Sequence, residues 1–202
     1  MTESAPDTGP PVRPLALFGV AVTGVFASAG LGAVTNAVNG WVSPLYFVTI
    51  MRWRGVEDVW RASIAQGIFE GLCFGVFFSL VFTAGVGIIT RASCSYGFAV
   101  RHLFGIVAGA FVCWVIGGLS AMGLASLSPE FYRRAFIGVP EEFGPMLAYA
   151  WVGGSIWGVQ LGGLVSVALG LVVLRGNWRR SQRRAEPGAA ADGGGMVAFW
   201  DS

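Results

Sequence analysis

One stripe of this chain gathers groups able to hold a proton or a polar solute. Ser63, Gln66, Glu70 and Cys73 follow three and four spacing, so on a helix they share a face. Glu70 is the only acidic residue within any long apolar run of the sequence. An ionisable group inside an apolar span costs roughly 2.5 to 3.5 kcal/mol on insertion scales, so it normally faces protein or water and is a functional candidate by default. Thr35, Asn36 and Asn39 close the preceding apolar run, and a hairpin between the two runs brings them to the side of Gln66 and Glu70. The polar cluster Asn36, Asn39, Gln66 and Glu70 suits a proton, an ion or a small solute. It suits interhelical hydrogen bonding better still, worth about 0.6 kcal/mol per contact in a membrane protein.

Other chemistries find little support. No nucleophile motif, phosphate loop, cofactor fingerprint or metal-ligand pair occurs, so the expectation is a non-enzyme with no catalytic residue, metal or cofactor. Cys73, Cys94 and Cys113 follow no redox or metal spacing. His102 stands beside Arg101 at the start of the third apolar run, without a carboxylate nearby in sequence, and reads as interfacial. A net charge of +2, with no basic stripe interleaved with aromatics, gives no reason to expect nucleic acid as a partner.

The elements that position the cluster are long and apolar. Charged residues make up 12% of the chain and hydrophobic residues 54%, against roughly 25% charged in soluble domains. Four runs exceed the ~20 residues that cross a bilayer core, predicting transmembrane helices over 15–38, 64–89, 103–127 and 146–174. Residues 1–14 are expected to be a disordered amino-terminal segment, and 176–202 a basic juxtamembrane segment and disordered tail. Each apolar run carries small residues at every fourth position, including Gly24 and Gly32, then Gly67, Gly71 and Gly75, then Gly109 and Gly117, then Gly154, Gly158 and Gly162. Small residues let helix backbones approach closely in lipid, where burial from water cannot drive association. These glycines are the expected packing surfaces of an all-α membrane bundle. A strict four-residue ladder drifts about 40° per rung, so different rungs are expected to serve different neighbours.

The ladders also expose an internal repeat. The first run maps on the third with an offset of 85, as Gly24 maps on Gly109, and the Ser43-Pro44 pair falls on Ser128-Pro129. The second maps on the fourth with an offset of 87, as Gly67 maps on Gly154. The chain therefore reads as two parallel tandem hairpins, 15–91 and 98–175, with an axis along the membrane normal. The segments after Ser43-Pro44 and Ser128-Pro129 mix aromatic and basic residues and are expected to be short interfacial helices. The polar cluster is peculiar to the first copy: Asn36, Asn39, Gln66 and Glu70 correspond to Ala121, Leu124, Gly153 and Trp157.

Arginines set the orientation. Arg13, Arg91, Arg101, Arg175, Arg179, Arg180, Arg183 and Arg184 outnumber Arg52, Arg54, Arg61, Arg133 and Arg134 in the alternate loops, placing both termini in the cytoplasm of a bacterial-type inner membrane. Arg175, Arg179, Arg180, Arg183 and Arg184 form an expected anchor to anionic lipid. The stretch Arg54-Gly55-Val56-Glu57-Asp58-Val59-Trp60, followed by Gly67 and Gly71, resembles the signature of the mitochondrial preprotein-translocase and amino-acid-transporter family. It departs from that pattern by one extra residue before the glycines, by Ser43 in place of an aromatic residue, and by lying after the first span instead of the second. No function is carried over from it. The expected function is that of a structural or assembly subunit acting through close helix packing; the alternative is a small oligomeric channel or carrier for a proton, ion or small solute centred on Glu70. The expected partners are membrane lipid and either further copies of the chain or other membrane subunits.

Overall fold

The computed structural model describes residues 12–192. It holds six helices: α1 (Pro14–Val42), α2 (Pro44–Ile50), α3 (Val59–Thr90), α4 (Tyr96–Leu127), α5 (Pro129–Ala135) and α6 (Phe143–Asp192). Helices α1, α3, α4 and α6 are each long and apolar enough to cross a membrane. The short helices α2 and α5 directly follow α1 and its counterpart α4, at the two Ser-Pro pairs. Proline lacks the N–H a continuing helix needs, yet fits the first turn of a new one. Ser43 and Ser128 accordingly adopt nearly the same open conformation, with φ −146° and −144°.

The long helices run past the expected ends of the apolar runs because their caps lie outside them. Asp58 caps α3, its carboxylate accepting from the Arg61 N–H at 2.9 Å, and Ser95 caps α4 by accepting from the Phe98 N–H. Between them the chain reverses through Arg91 and Ala92, both left-handed at φ 51° and 56°. The Gly87 carbonyl accepts the N–H of both residues. Helix α6 continues through the arginine-rich segment, and its residues 185–192 extend the helix where a disordered tail was expected. The rest of that tail, and residues 1–11 of the expected disordered amino terminus, lie outside the described residues.

α1 packs closely along α3 and α4 along α6, while the two pairs meet each other more sparsely. Glycine sets the close approach. A Cβ on Gly32 would strike the carbonyl of Gly67 and the Cα of Gly71, and one on Gly71 would strike the Ser28 carbonyl. In the second pair, a Cβ on Gly117 would strike the carbonyl of Gly154 and the Cα of Gly158, and one on Gly158 the carbonyl of Cys113. Gly75 against Ser28 matches Gly162 against Cys113, and Gly24 against Ser79 matches Gly109 against Ser166. Every one of these paired contacts obeys the offsets of 85 and 87. The ladder glycines are thus in contact within their own chain. Some rungs also touch outside the pair, as Gly24 approaches Leu103 of α4.

Two apolar clusters join the pairs, and a third lies within the second pair. Val20, Phe82, Val86, Leu103, Val167 and Leu174 bring all four long helices together toward the end that carries Arg13 and Arg175. At the opposite end, α2 and α5 tuck over the bundle: Phe47 is fully buried with Tyr149 and Val152, and Tyr132 packs with Ala125, Met146 and Ala150.

Candidate functional site

The sparse junction between the two pairs holds a partly open cavity of about 90 Å³. That is room for several water molecules at about 10 to 15 Å³ each. Its walls include Asn36 and Asn39 from α1, Glu70, Phe74, Phe78 and Phe82 from α3, Ile106 and Ala110 from α4, and Gln160 from α6. Three of the four residues of the expected polar cluster therefore share one wall. The fourth, Gln66, holds Glu70: its Nε2 donates to Oε1 at 2.9 Å, one turn along α3.

Burial differs sharply among these groups. Glu70 is half-buried, whereas Asn39 is fully buried and Asn36 nearly so. Asn39 spans the junction, its amide lying 3.0 Å from the Ser155 hydroxyl of α6. Its Nδ2 has no hydrogen-bond partner. An unmade hydrogen bond on a buried amide costs about 1 to 3 kcal/mol, and such a group normally has a reason to be there. Asn36 contributes its carbonyl to the seam, accepting from Ser63 Oγ at 3.0 Å. Thr35 returns its hydroxyl to the Leu31 carbonyl of its own helix.

The stripe Ser63, Gln66, Glu70, Cys73 does not stay together. Ser63 is buried in the α1–α3 seam, Glu70 faces the cavity, and Cys73 is exposed on the outside of the bundle. Three and four spacing covers a face broad enough for one edge to pack inward while the other turns out. A single carboxylate among amides suits a monovalent cation or a neutral solute. Hard divalent cations want several carboxylate and carbonyl oxygens, and among the described residues no group of three His, Cys, Asp or Glu side chains gathers anywhere.

Sequence reasoning missed two parts of this site. One is the aromatic wall, Phe74, Phe78 and Phe82, whose four-residue spacing continues directly from Glu70. The other is a tyrosine cluster at the α2 and α5 end. Tyr46 and Tyr149 lie with ring centroids 4.9 Å apart, and Tyr149 donates to the Ile137 carbonyl at 2.6 Å. A Cβ on Gly153 would lie 3.8 Å from the Tyr46 hydroxyl and 3.9 Å from that of Tyr132, so the two phenols converge where the second pair has glycine in the place of Gln66. Burial pushes Tyr46 above the usual phenol range, and the charge of Glu70 adds to it. Tyr132 is pushed up to about 12, by burial first and then by Tyr46. Both phenols keep their protons at neutral pH. The only trace in sequence was the matching of the two aromatic segments after the Ser-Pro pairs.

Away from the cavity, His102 Nε2 lies 3.0 Å from Asn177 Nδ2 and Nδ1 2.8 Å from the Phe98 carbonyl. The tautomer with hydrogen on Nδ1 satisfies both contacts, and the pair ties α4 to α6 at the end bearing the termini. Arg175, Arg179, Arg180, Arg183 and Arg184 are all exposed along α6, and Trp178 among them packs edge-on to Phe98.

The cavity's walls come from unlike faces of the two pairs. Gln160 lines it, yet its counterpart Cys73 is exposed; Glu70 lines it, yet its counterpart Trp157 is 62% exposed. Compared with protein-family models, curated proteins and solved structures, the chain matches none of them.

Proposed function

We propose that this chain is a multi-pass membrane protein whose central cavity, centred on Glu70, binds and passes a proton, an ion or a small solute. The supporting observation is the convergence of Glu70, Asn36 and Asn39 on one cavity between two separately packed helix pairs. A carboxylate needs protein or water around it inside a bilayer, and a cavity between rigid halves supplies both a binding place and a seam along which the halves can shift.

The membrane assignment rests on the outer surface. Phe26 at 69%, Phe69 at 62% and Leu169 at 61% exposure typify an apolar belt far larger than the patches a soluble monomer presents. In lipid the same belt is at no disadvantage. The helices lie as two parallel hairpins with small-xxx-small packing, and the equivalence of their glycine contacts supports duplication of one hairpin. The arginine distribution supports cytoplasmic termini in a bacterial-type inner membrane, with Arg175, Arg179, Arg180, Arg183 and Arg184 against anionic lipid. A structural or assembly subunit is the second reading, supported by the tight packing within each pair; the amides and Glu70 then act as glue. Partners under that reading, whether further copies or other membrane subunits, would dock on the outer apolar surface, because the ladder glycines are engaged within the chain.

Reconstitution in liposomes distinguishes the two. Glu70→Gln keeps the size of the side chain and removes its charge, so flux of protons or of a small monovalent cation is expected to fall at least tenfold while the variant stays folded. Equal flux through wild type and variant, or none through either, sinks the carrier reading and leaves the subunit.

A further inference from the structure

The chemistry of the cavity wall narrows what it would hold. On the reading that Glu70 centres a binding site, we infer that the ligand class is a small alkylammonium, a cationic head on a short apolar body.

Three independent features converge on this class. The first is the charge pattern: one carboxylate, Glu70, with no cationic side chain among the cavity walls, so a positive group inside would find its counter-ion and no repulsion. The second is the phenylalanine row. Phe74, Phe78 and Phe82 line the same cavity, and aromatic rings attract alkylammonium groups while also accepting an apolar body. A bare inorganic ion would leave those walls unused, since it has no apolar surface to place against them.

The third is the unpaired amide of Asn39. Ser155 Oγ lies 3.0 Å from the Asn39 amide and 3.1 Å from the Val152 carbonyl, but a serine hydroxyl has a single hydrogen to give. Rotating the Asn39 amide by half a turn resolves the conflict. Its Nδ2 then donates to Ser155 Oγ, Ser155 donates to the Val152 carbonyl, and the atom left without a partner is the carbonyl oxygen Oδ1. Amide oxygen and nitrogen are assigned through just such networks. The walls thereby carry a free acceptor as well as a carboxylate, and an ammonium brings only donors.

Size sets the length of the body. An apolar cavity of about 150 Å³ takes benzene with its six carbons, so about 90 Å³ corresponds to roughly three or four heavy atoms. Propylammonium fits that limit.

The test is isothermal titration of the full-length chain in mild detergent with propylammonium, with its neutral counterpart propan-1-ol, and with Na⁺. Propylammonium is expected to bind at least tenfold more tightly than either, Glu70→Gln to reduce it to the level of the alcohol, and Phe78→Leu to weaken it several-fold. If propan-1-ol binds as tightly as propylammonium to the wild-type protein, the charge is irrelevant and the assignment is overturned; this comparison needs no variant to fold. If Na⁺ binds as tightly as propylammonium and is lost in Glu70→Gln, the Glu70 site stands and the organic class falls. If none of the three binds and liposomes show no Glu70-dependent proton flux, both the class and the site it rests on fall.

Discussion

Tyr132 shows how a residue of an expected interfacial helix acquires a chemical signature from its surroundings. Its phenol is held protonated up to about 12, against 10.0 for a free phenol. The folded state keeps that proton at a pH where the unfolded chain loses it. The corresponding stability is fully present below pH 10 and is lost as pH rises from 10 through about 12. Melting curves in detergent should show the wild type losing stability over that window more steeply than Tyr132→Phe, and parallel slopes would refute the assignment. At the same scale, Glu70 was legible as the one acid in an apolar run, and Asn36 and Asn39 as amides at a helix end. The partner of Asn39 was not, because Ser155 lies 116 residues away and no local pattern links them. Gln160, the counterpart of Cys73, gave no such signal, because it stands alone among apolar and small residues.

Among the elements, the spacing of small residues revealed which helices pair but not how the pairs face each other. A ladder specifies the seam it fills: a Cβ on Gly71 would strike the Ser28 carbonyl and lie 2.8 Å from Ala29 Cα. Gly71→Val must push α1 and α3 apart, and is expected to cost about 1 to 3 kcal/mol or more. Gly158→Val, at the matching place in the second pair, should cost the same amount within error. By contrast Gly105 has nothing within 4 Å of its Cβ position, so Gly105→Ala should be neutral or add up to ~1 kcal/mol through helix propensity. Reversible unfolding in mixed micelles ranks all three, and a costly Gly105→Ala or unequal valine variants would break the argument. Helix ends were legible only to within their caps, since Asp58 and Ser95 lie beyond the apolar runs that signalled α3 and α4. The α2 and α5 helices were legible because Ser-Pro marks both a stop and a start.

For the whole molecule, the contrast between tight pairs and their sparser junction predicts the order of disassembly. Cut in the Ser93–Ser95 turn and co-expressed, the halves should copurify in mild detergent and separate at a detergent strength that leaves each half helical and resistant to protease. Simultaneous loss of both pairs would show that the junction is as strong as the seams. Cys94 and Leu174 sit fully buried in the cluster that links the halves, so Leu174→Ala should weaken copurification, with a cost of about 2 to 5 kcal/mol. The four-helix count and the pairing were legible in sequence because each depends on contacts repeated along a helix. The rotation of one pair against the other depends on a handful of contacts between residues far apart in the chain.

That rotation has a directional consequence. The first pair turns the side bearing Glu70 and Asn39 toward the second, while the second answers with the side bearing Gln160, not with Trp157 and Leu124, which stand 62% and 41% exposed. Front meets back. An arrangement of this kind leaves one front and one back uncovered within the chain, so any further copy added through the same geometry joins head to tail. Such growth has a polarity: it closes into a ring or continues, and it can never yield a pair of chains facing one another through identical surfaces. Trp157, the bulky indole at the position of the carboxylate, lies on that uncovered front, so a copy added in this way would have to pack against it.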